Sequence, residues 1–139
     1  MLSAYQMAGQ SCAVVSAGSA ITADWLSDRG EHLGGFIVPG RKLLASTLLK
    51  DLANVLQQPL AVSQANLELG KSSEECSANG ISVMLAGFIN DIARRSQNAP
   101  IFLAGGDAKI LYGLCDEVEK WRLTLVVNPV LDGLAIAMP

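Results

Sequence analysis

The stretch Cys12-Ala13-Val14-Val15-Ser16-Ala17-Gly18-Ser19-Ala20-Ile21-Thr22 holds a short apolar run, a turn centred on glycine, and a second run of apolar and β-branched residues. Two extended runs joined by so few residues lie side by side and antiparallel. A glycine-centred loop of this kind, residues 16–22, can also hold a phosphate with backbone N–H groups. Its first carboxylate comes only at Asp24. Phosphoryl transfer needs a nucleotide cradle together with acidic groups that hold a cation or accept a proton. This loop offers the cradle without the acids.

Working outward, residues 20–26 continue the second strand, Asp28-Arg29-Gly30 signals a turn, and Glu31-His32-Leu33-Gly34-Gly35-Phe36-Ile37-Val38 reads as a third strand ended by Pro39-Gly40. Residues 41–56 take a helical period, with Leu44, Leu48, Leu52 and Val55 on one face and Pro59 as the stop. Residues 58–70 read as a loop with a short extended piece. Ser72 followed three residues on by Glu75 makes a capping box for a long helix running to about Arg95. Ile81, Leu85, Phe88 and Ile92 form its apolar stripe, and Arg94 with Arg95 suits the negative end of its dipole. A buried strand over residues 100–104, a Gly105-Gly106-Asp107 turn, a helix over 108–119, a strand over 122–127 and a closing turn after Pro129 complete the reading. Three antiparallel strands followed by helix–strand–helix–strand units give an α/β mixed sheet with helices. That is the order of a ribonuclease H-like domain of the actin, sugar-kinase and heat-shock ATPase superfamily.

Composition bounds the possibilities. The 139 residues read as one domain, 1–139, able to bury roughly two-thirds of its unfolded surface. Half of them are apolar and 17% charged, which suits a packed core. A net charge of −3 with no basic run weighs against nucleic acid or an anionic membrane surface as partner. Residues 1–15 carry neither a charged leader start nor a long apolar stretch. Cys12, Cys76 and Cys115 are odd in number and lack metal spacing, which fits reduced thiols in the cytoplasm.

In its residue pattern the chain resembles the C-terminal domain of the type III pantothenate kinases, the family that includes Bvg accessory factor-like proteins. The family's second phosphate motif, D-x-G-T-A-x-T, is matched by Ser16-Ala17-Gly18-Ser19-Ala20-Ile21-Thr22, and its G-G-x-I-x-P-G segment without change by Gly34-Gly35-Phe36-Ile37-Val38-Pro39-Gly40. Gly70-Lys71-Ser72-Ser73 and Gly80 match the region of the substrate-contacting threonine, Ala104-Gly105-Gly106-Asp107-Ala108 the T-G-G-D-A turn, and Leu131-Asp132-Gly133-Leu134 the closing motif with one residue fewer. The resemblance implies ATP as ligand, with Gly18, Ser19, Ala20, Thr22, Gly105 and Gly106 on the nucleotide and Ser73 on pantothenate. It also implies a homodimer, with Ala78, Gly80, Met84 and Gly87 as a face small enough for close packing. Ser16 stands where the family holds a monovalent cation, K+, on an aspartate, so that site loses its charge. The family's first phosphate loop and the G-x-D-R motif with its catalytic aspartate would precede Met1, and a separate N-terminal lobe would supply them.

Each of these residues also has a plainer role. The loop at 16–22 serves as a hairpin turn, the paired glycines permit close backbone approach, Ser73 and Asp107 cap helices, and His32, the one histidine, sits on a surface strand. Three functions follow: the nucleotide- and substrate-binding half of a pantothenate kinase, inactive alone; a non-catalytic dimeric binding or regulatory module; or a fragment of a longer kinase.

Overall fold

A computed structural model describes residues 5, 6 and 8–127. The first four residues, the closing motif at 131–134 and the turn after Pro129 lie outside these. Five strands form one sheet in the order β3-β2-β1-β4-β5. β1 (Cys12–Ala17), β2 (Ala20–Leu26) and β3 (His32–Pro39) are the antiparallel set, and β4 (Ile101–Ala104) and β5 (Leu123–Leu125) run parallel to β1. This mixed α/β sheet is the ribonuclease H-like arrangement read from the element order.

Alternation along the strands assigns the two faces. Ala13, Val15 and Ala17 of β1, Ile21 and Ala23 of β2, and Ile101 and Leu103 of β4 are buried together in the main core. Cys12, Leu26 and Phe102 form a smaller cluster, with Val14, Tyr5, Ala8 and Val126 packed against it. Burial also holds the Cys12 thiol above its ordinary pKa.

The main core is closed by α2 (Ser73–Arg95), whose buried face includes Ile81, Leu85, Ile89 and Ile92. Ile89 is fully buried, whereas the expected Phe88 is partly so. Its N-terminus is capped by the Ser72 Oγ, which accepts from the Glu75 N–H at 3.1 Å. The reciprocal bond of the expected box goes one residue further back, since Glu75 Oε2 accepts from the Lys71 N–H at 2.8 Å. At the other end Gln97 takes a φ of +51°, the left-handed conformation that commonly ends a helix, and Trp25 Nε1 donates to Ser96 Oγ at 3.0 Å.

The largest departures from the expected boundaries fall at the helices that follow β3 and β4 and at β5. Helix α1 (Arg41–Asp51) ends five residues early. Turns after it carry Leu56 into the interior and leave Leu52 and Val55 exposed, so only Leu44 and Leu48 of the anticipated face pack on the core. Helix α3 (Ala108–Leu114) stops before the expected Glu119 because the Asp116 N–H is taken by Asn90 Oδ1 of α2 at 2.9 Å, away from any helical carbonyl. A 3-10 helix (Glu117–Arg122) follows, and β5 starts at Leu123. Arg122, expected in the strand, ends that helix as a buried side chain. It donates to the Ala93 carbonyl at 2.8 Å and pairs with Glu119. Among the described residues no helix is long and apolar enough to cross a membrane.

Candidate functional site

Three turns meet at one end of the sheet, beyond the C-terminal ends of the parallel strands β1 and β4, where open α/β sheets bind ligands. The first is the tip of the β1–β2 hairpin, Gly18-Ser19. The second is Gly40, between β3 and α1, and the third is Gly105-Gly106-Asp107, between β4 and α3. They are joined through the backbone. The Gly18 N–H donates to Ala20 O at 3.0 Å, the Gly40 N–H to Ser19 O at 2.9 Å, and the Asp107 N–H to Ala17 O at 3.1 Å.

These bonds separate glycines that the fold requires from glycines left open. A Cβ on Gly40 would lie 2.2 Å from Gly18 O, and one on Gly105, whose φ is +95°, 2.4 Å from Ala17 O. Both are excluded by neighbouring backbone. Gly35 is likewise locked, 2.2 Å from Ala23 O, which agrees with close strand approach as the reason for this glycine, whereas its neighbour Gly34 meets no described residue within 4 Å and is required instead by a φ of +126°. Among the described residues, a Cβ on Gly106 would meet nothing within 4 Å, and one on Gly18 only Ala20 O at 3.9 Å. These two glycines therefore present open backbone at the site. Since the Gly18 N–H closes the hairpin, the remaining side-chain donors of the motif are the hydroxyls of Ser19 at the tip and of Thr22 on β2.

Ser16 stands between Thr22 of β2 and Ala104 of β4. The nearest carboxylate along β2, Asp24, is engaged with His32, its Oδ1 2.8 Å from Nε2. Among the described residues no three His, Cys, Asp or Glu side chains cluster as a metal site. A cation that requires a carboxylate does not fit the donors around Ser16.

Asp107 occupies the N-cap position of α3, but its side chain makes no cap bond. Its Oδ1 accepts instead from Arg41 Nη2 at 3.0 Å, an ion pair whose two side chains are 12% and 16% exposed. Arg41 Nη1 donates to Val62 O at 2.7 Å, while Arg41 Nε is buried without a partner among the described residues. Sequence reasoning missed this pair. Its one signal is that Arg41 follows Pro39-Gly40 and Asp107 follows Gly105-Gly106, so two site turns each end in a charge of opposite sign.

Ser73 is the first residue of α2, and the cap it was expected to make belongs to Ser72. Beside it, residues 57–72 and the first turns of α2 enclose a groove of about 630 Å³, whose walls include Asn66, Lys71, Glu74, Glu75 and Asn79. Ser73 is not part of the groove lining. The Gln57 N–H donated to Glu74 Oε1 at 2.9 Å holds that carboxyl below its usual range.

The profile of the family described as type III pantothenate kinase matches residues 1–95. A type III pantothenate kinase of Ectopseudomonas mendocina is 37% identical over the whole of this chain and 57% of its own length. The enzyme of that name from Alcanivorax borkumensis is 35% identical over 96% of this chain and 54% of its own length. The solved structure of a Campylobacter jejuni protein assigned to the Baf family of transcriptional activators superposes with a TM-score of 0.54 at 21% identity, over 87% of this chain and 57% of that one. The chain thus spans little more than half the length of the relatives it matches. By profile and by identity along its whole length, it belongs to the type III pantothenate kinase family.

Proposed function

We propose that this chain is the nucleotide- and substrate-binding half of a type III pantothenate kinase, one domain over residues 1–139, which binds ATP and does not phosphorylate pantothenate by itself. The observation that carries this reading is the convergence of three turns at one sheet end with Gly18 and Gly106 left open. Phosphate oxygens accept hydrogen bonds from the hydroxyls of Ser19, at the tip that Ala20 closes, and of Thr22, two residues into β2. The adenosine lies flat against Gly105 and Gly106, where a side chain on Gly106 would obstruct it. The Ser73 hydroxyl, on the first residue of α2 and outside the groove lining, meets the pantothenate. An N-terminal lobe, of the length by which the relatives exceed this chain, supplies the opposite wall and the general base.

Calorimetric titration with ADP tests the nucleotide half. Binding is expected, weakened about ten-fold or more in Gly106→Ala and Gly18→Ala with the unfolding midpoint unchanged. Equal affinity in wild type and both variants, or no binding at all, sinks the reading.

A second reading, a non-catalytic dimeric module, is favoured by α2. Gly80 and Gly87 have nothing within 4 Å of an added Cβ, while Val83 and Met84 are exposed. This small-residue face is the one we assign to a homodimer. Light scattering is expected to return twice the chain mass, and Gly87→Leu to return the monomer. A concentration-independent monomer in the wild type rejects the dimer.

A further inference from the structure

Residues 57–72 have little regular structure, yet they carry Gly70-Lys71-Ser72 up to the start of α2 and wall the groove there. Their hydrogen bonds to side chains run mostly in one direction. The Gln57 N–H goes to Glu74, the Asn66 N–H to Ser82 Oγ at 3.1 Å, the Lys71 N–H to Glu75, and Glu68 O accepts from Asn79 Nδ2 at 2.9 Å. All four partners lie on α2. Arg41 is different, for it lies on α1, directly after the Gly40 turn, and its Nη1 takes the Val62 carbonyl.

The guanidinium is itself held in place. Its Nη2 is fixed by Asp107 Oδ1, and the Asp107 N–H is fixed on Ala17 O at the end of β1. A planar fork holds its two N–H groups at a fixed angle to two partners, so a displacement of either one is passed to the other, whereas an ammonium on a flexible stem holds no such fixed geometry. The stem leaves the chain directly after Gly40, whose own N–H is tied to Ser19 O. One side chain therefore connects the hairpin tip, the Gly105-Gly106-Asp107 turn and the segment that walls the groove. Among the described residues the two Nη bonds carry the polar anchoring of the head, Nε having no partner there.

We propose that Arg41 is a positioning residue that links nucleotide occupancy at the Gly105-Gly106 turn to order in residues 57–72. This rests on the nucleotide reading above. A ligand that firms the turn firms Asp107, Asp107 holds the guanidinium, and the guanidinium holds the Val62 carbonyl. By reciprocity, an ordered segment favours the nucleotide.

Amide hydrogen exchange on the intact chain tests this, with peptides covering residues 60–66 compared with peptides from α2. Without ligand, Arg41→Met, which keeps the apolar stem, is expected to speed exchange at 60–66 roughly ten- to a hundred-fold and leave residues 81–92 unchanged. Asp107→Ala, 66 residues from Arg41 in the chain, is expected to speed the same peptides several-fold. The double variant should be no faster than Arg41→Met, and Asp107→Asn, which keeps an acceptor for Nη2, should restore most of the protection. Unchanged exchange in Asp107→Ala, or effects that multiply in the double variant, would overturn the proposal even where Arg41→Met fails to fold. With saturating ADP, the wild type should gain protection at 60–66 and Asp107→Ala should gain none. Absence of ADP binding would refute the nucleotide reading and leave the ligand-free arms to decide on the Arg41 bridge. ADP binding without added protection at 60–66 would refute the link itself.

Discussion

Replacing Gly105 by alanine sets the fold's need for this glycine apart from any ligand's. The residue has a φ of +95°, beyond even the left-handed region, and its Cβ would sit 2.4 Å from Ala17 O and 2.9 Å from Ala17 N. The backbone conformation alone costs about 1–2 kcal/mol. Ala17 is fully buried, so pushing its carbonyl back overpacks the core by roughly 1–3 kcal/mol. Losing the Asp107 N–H bond to that carbonyl adds about 1 kcal/mol. A total near 4 kcal/mol, with a urea slope of about 2 kcal/mol per M, lowers the unfolding midpoint by about 2 M. The assay is urea denaturation followed by tryptophan fluorescence, since Trp25 is bonded to Ser96 across the β2–α2 contact and reports loss of tertiary structure. Gly106→Ala is the internal control. Nothing lies within 4 Å of its Cβ, and the change should stay within about 0.5 kcal/mol. A Gly105→Ala midpoint within about 0.3 M of the wild type, or equal losses in the two variants, would refute the assignment of Gly105 to the fold and Gly106 to the ligand.

Further outcomes can be checked on the same preparation. Ser72→Ala removes the acceptor for the Glu75 N–H and should cost about 1 kcal/mol in urea unfolding, while Ser73→Ala should cost less than half of that. Burial raises the thiols of Cys12 and Cys115 above their ordinary range, whereas Cys76 is exposed, so Ellman's reagent should find one fast thiol in the native chain and three in urea. Asp91 is held below the usual carboxylate range first by the Arg95 hydrogen bond and also by the charge of Arg94. Its folded pKa lies below its unfolded one. Its stabilisation is therefore complete above the unfolded value and lost as the pH falls through the lowered one. The melting temperature of wild type minus that of Asp91→Asn should be positive at neutral pH and vanish in acid.

Local chemistry was the legible part of this chain. The β1–β2 hairpin followed from Gly18 and the β-branched residues beside it, the third strand from Asp28-Arg29-Gly30 and Pro39-Gly40, and the start of α2 from the serine and glutamates around residue 72. Contacts over long separations were not legible. The Asn90 bond that stops α3 early joins residues 26 apart, and nothing within residues 108–119 announces it. Ile89 was passed over because a stripe of 81, 85, 88 and 92 satisfies the helical period as well as one through 89, and only the sheet's position decides between them. Among the site residues, the turns themselves were readable from glycines, but which glycines have neighbours was not. That depends on where three turns meet.

The meeting of those turns changes what the family motifs can be taken to mean. In the G-G-x-I-x-P-G match, Gly35 and Gly40 are explained by backbone at 2.2 Å, and in the G-G-D-A match Gly105 is explained by backbone at 2.4 Å. A chain that had lost every ligand would still need these three residues to close its sheet. Their presence therefore speaks for the fold and is silent on chemistry. The discriminating positions are the ones the fold leaves free, namely Gly18, Gly106 and the hydroxyl residues Ser19 and Thr22. Asp107 does not belong with them, because its carboxylate holds Arg41 and its N–H is bonded to Ala17 O. If ligand binding is what these positions serve, substitutions there should separate affinity from stability, whereas at Gly35, Gly40 and Gly105 the two should fall together.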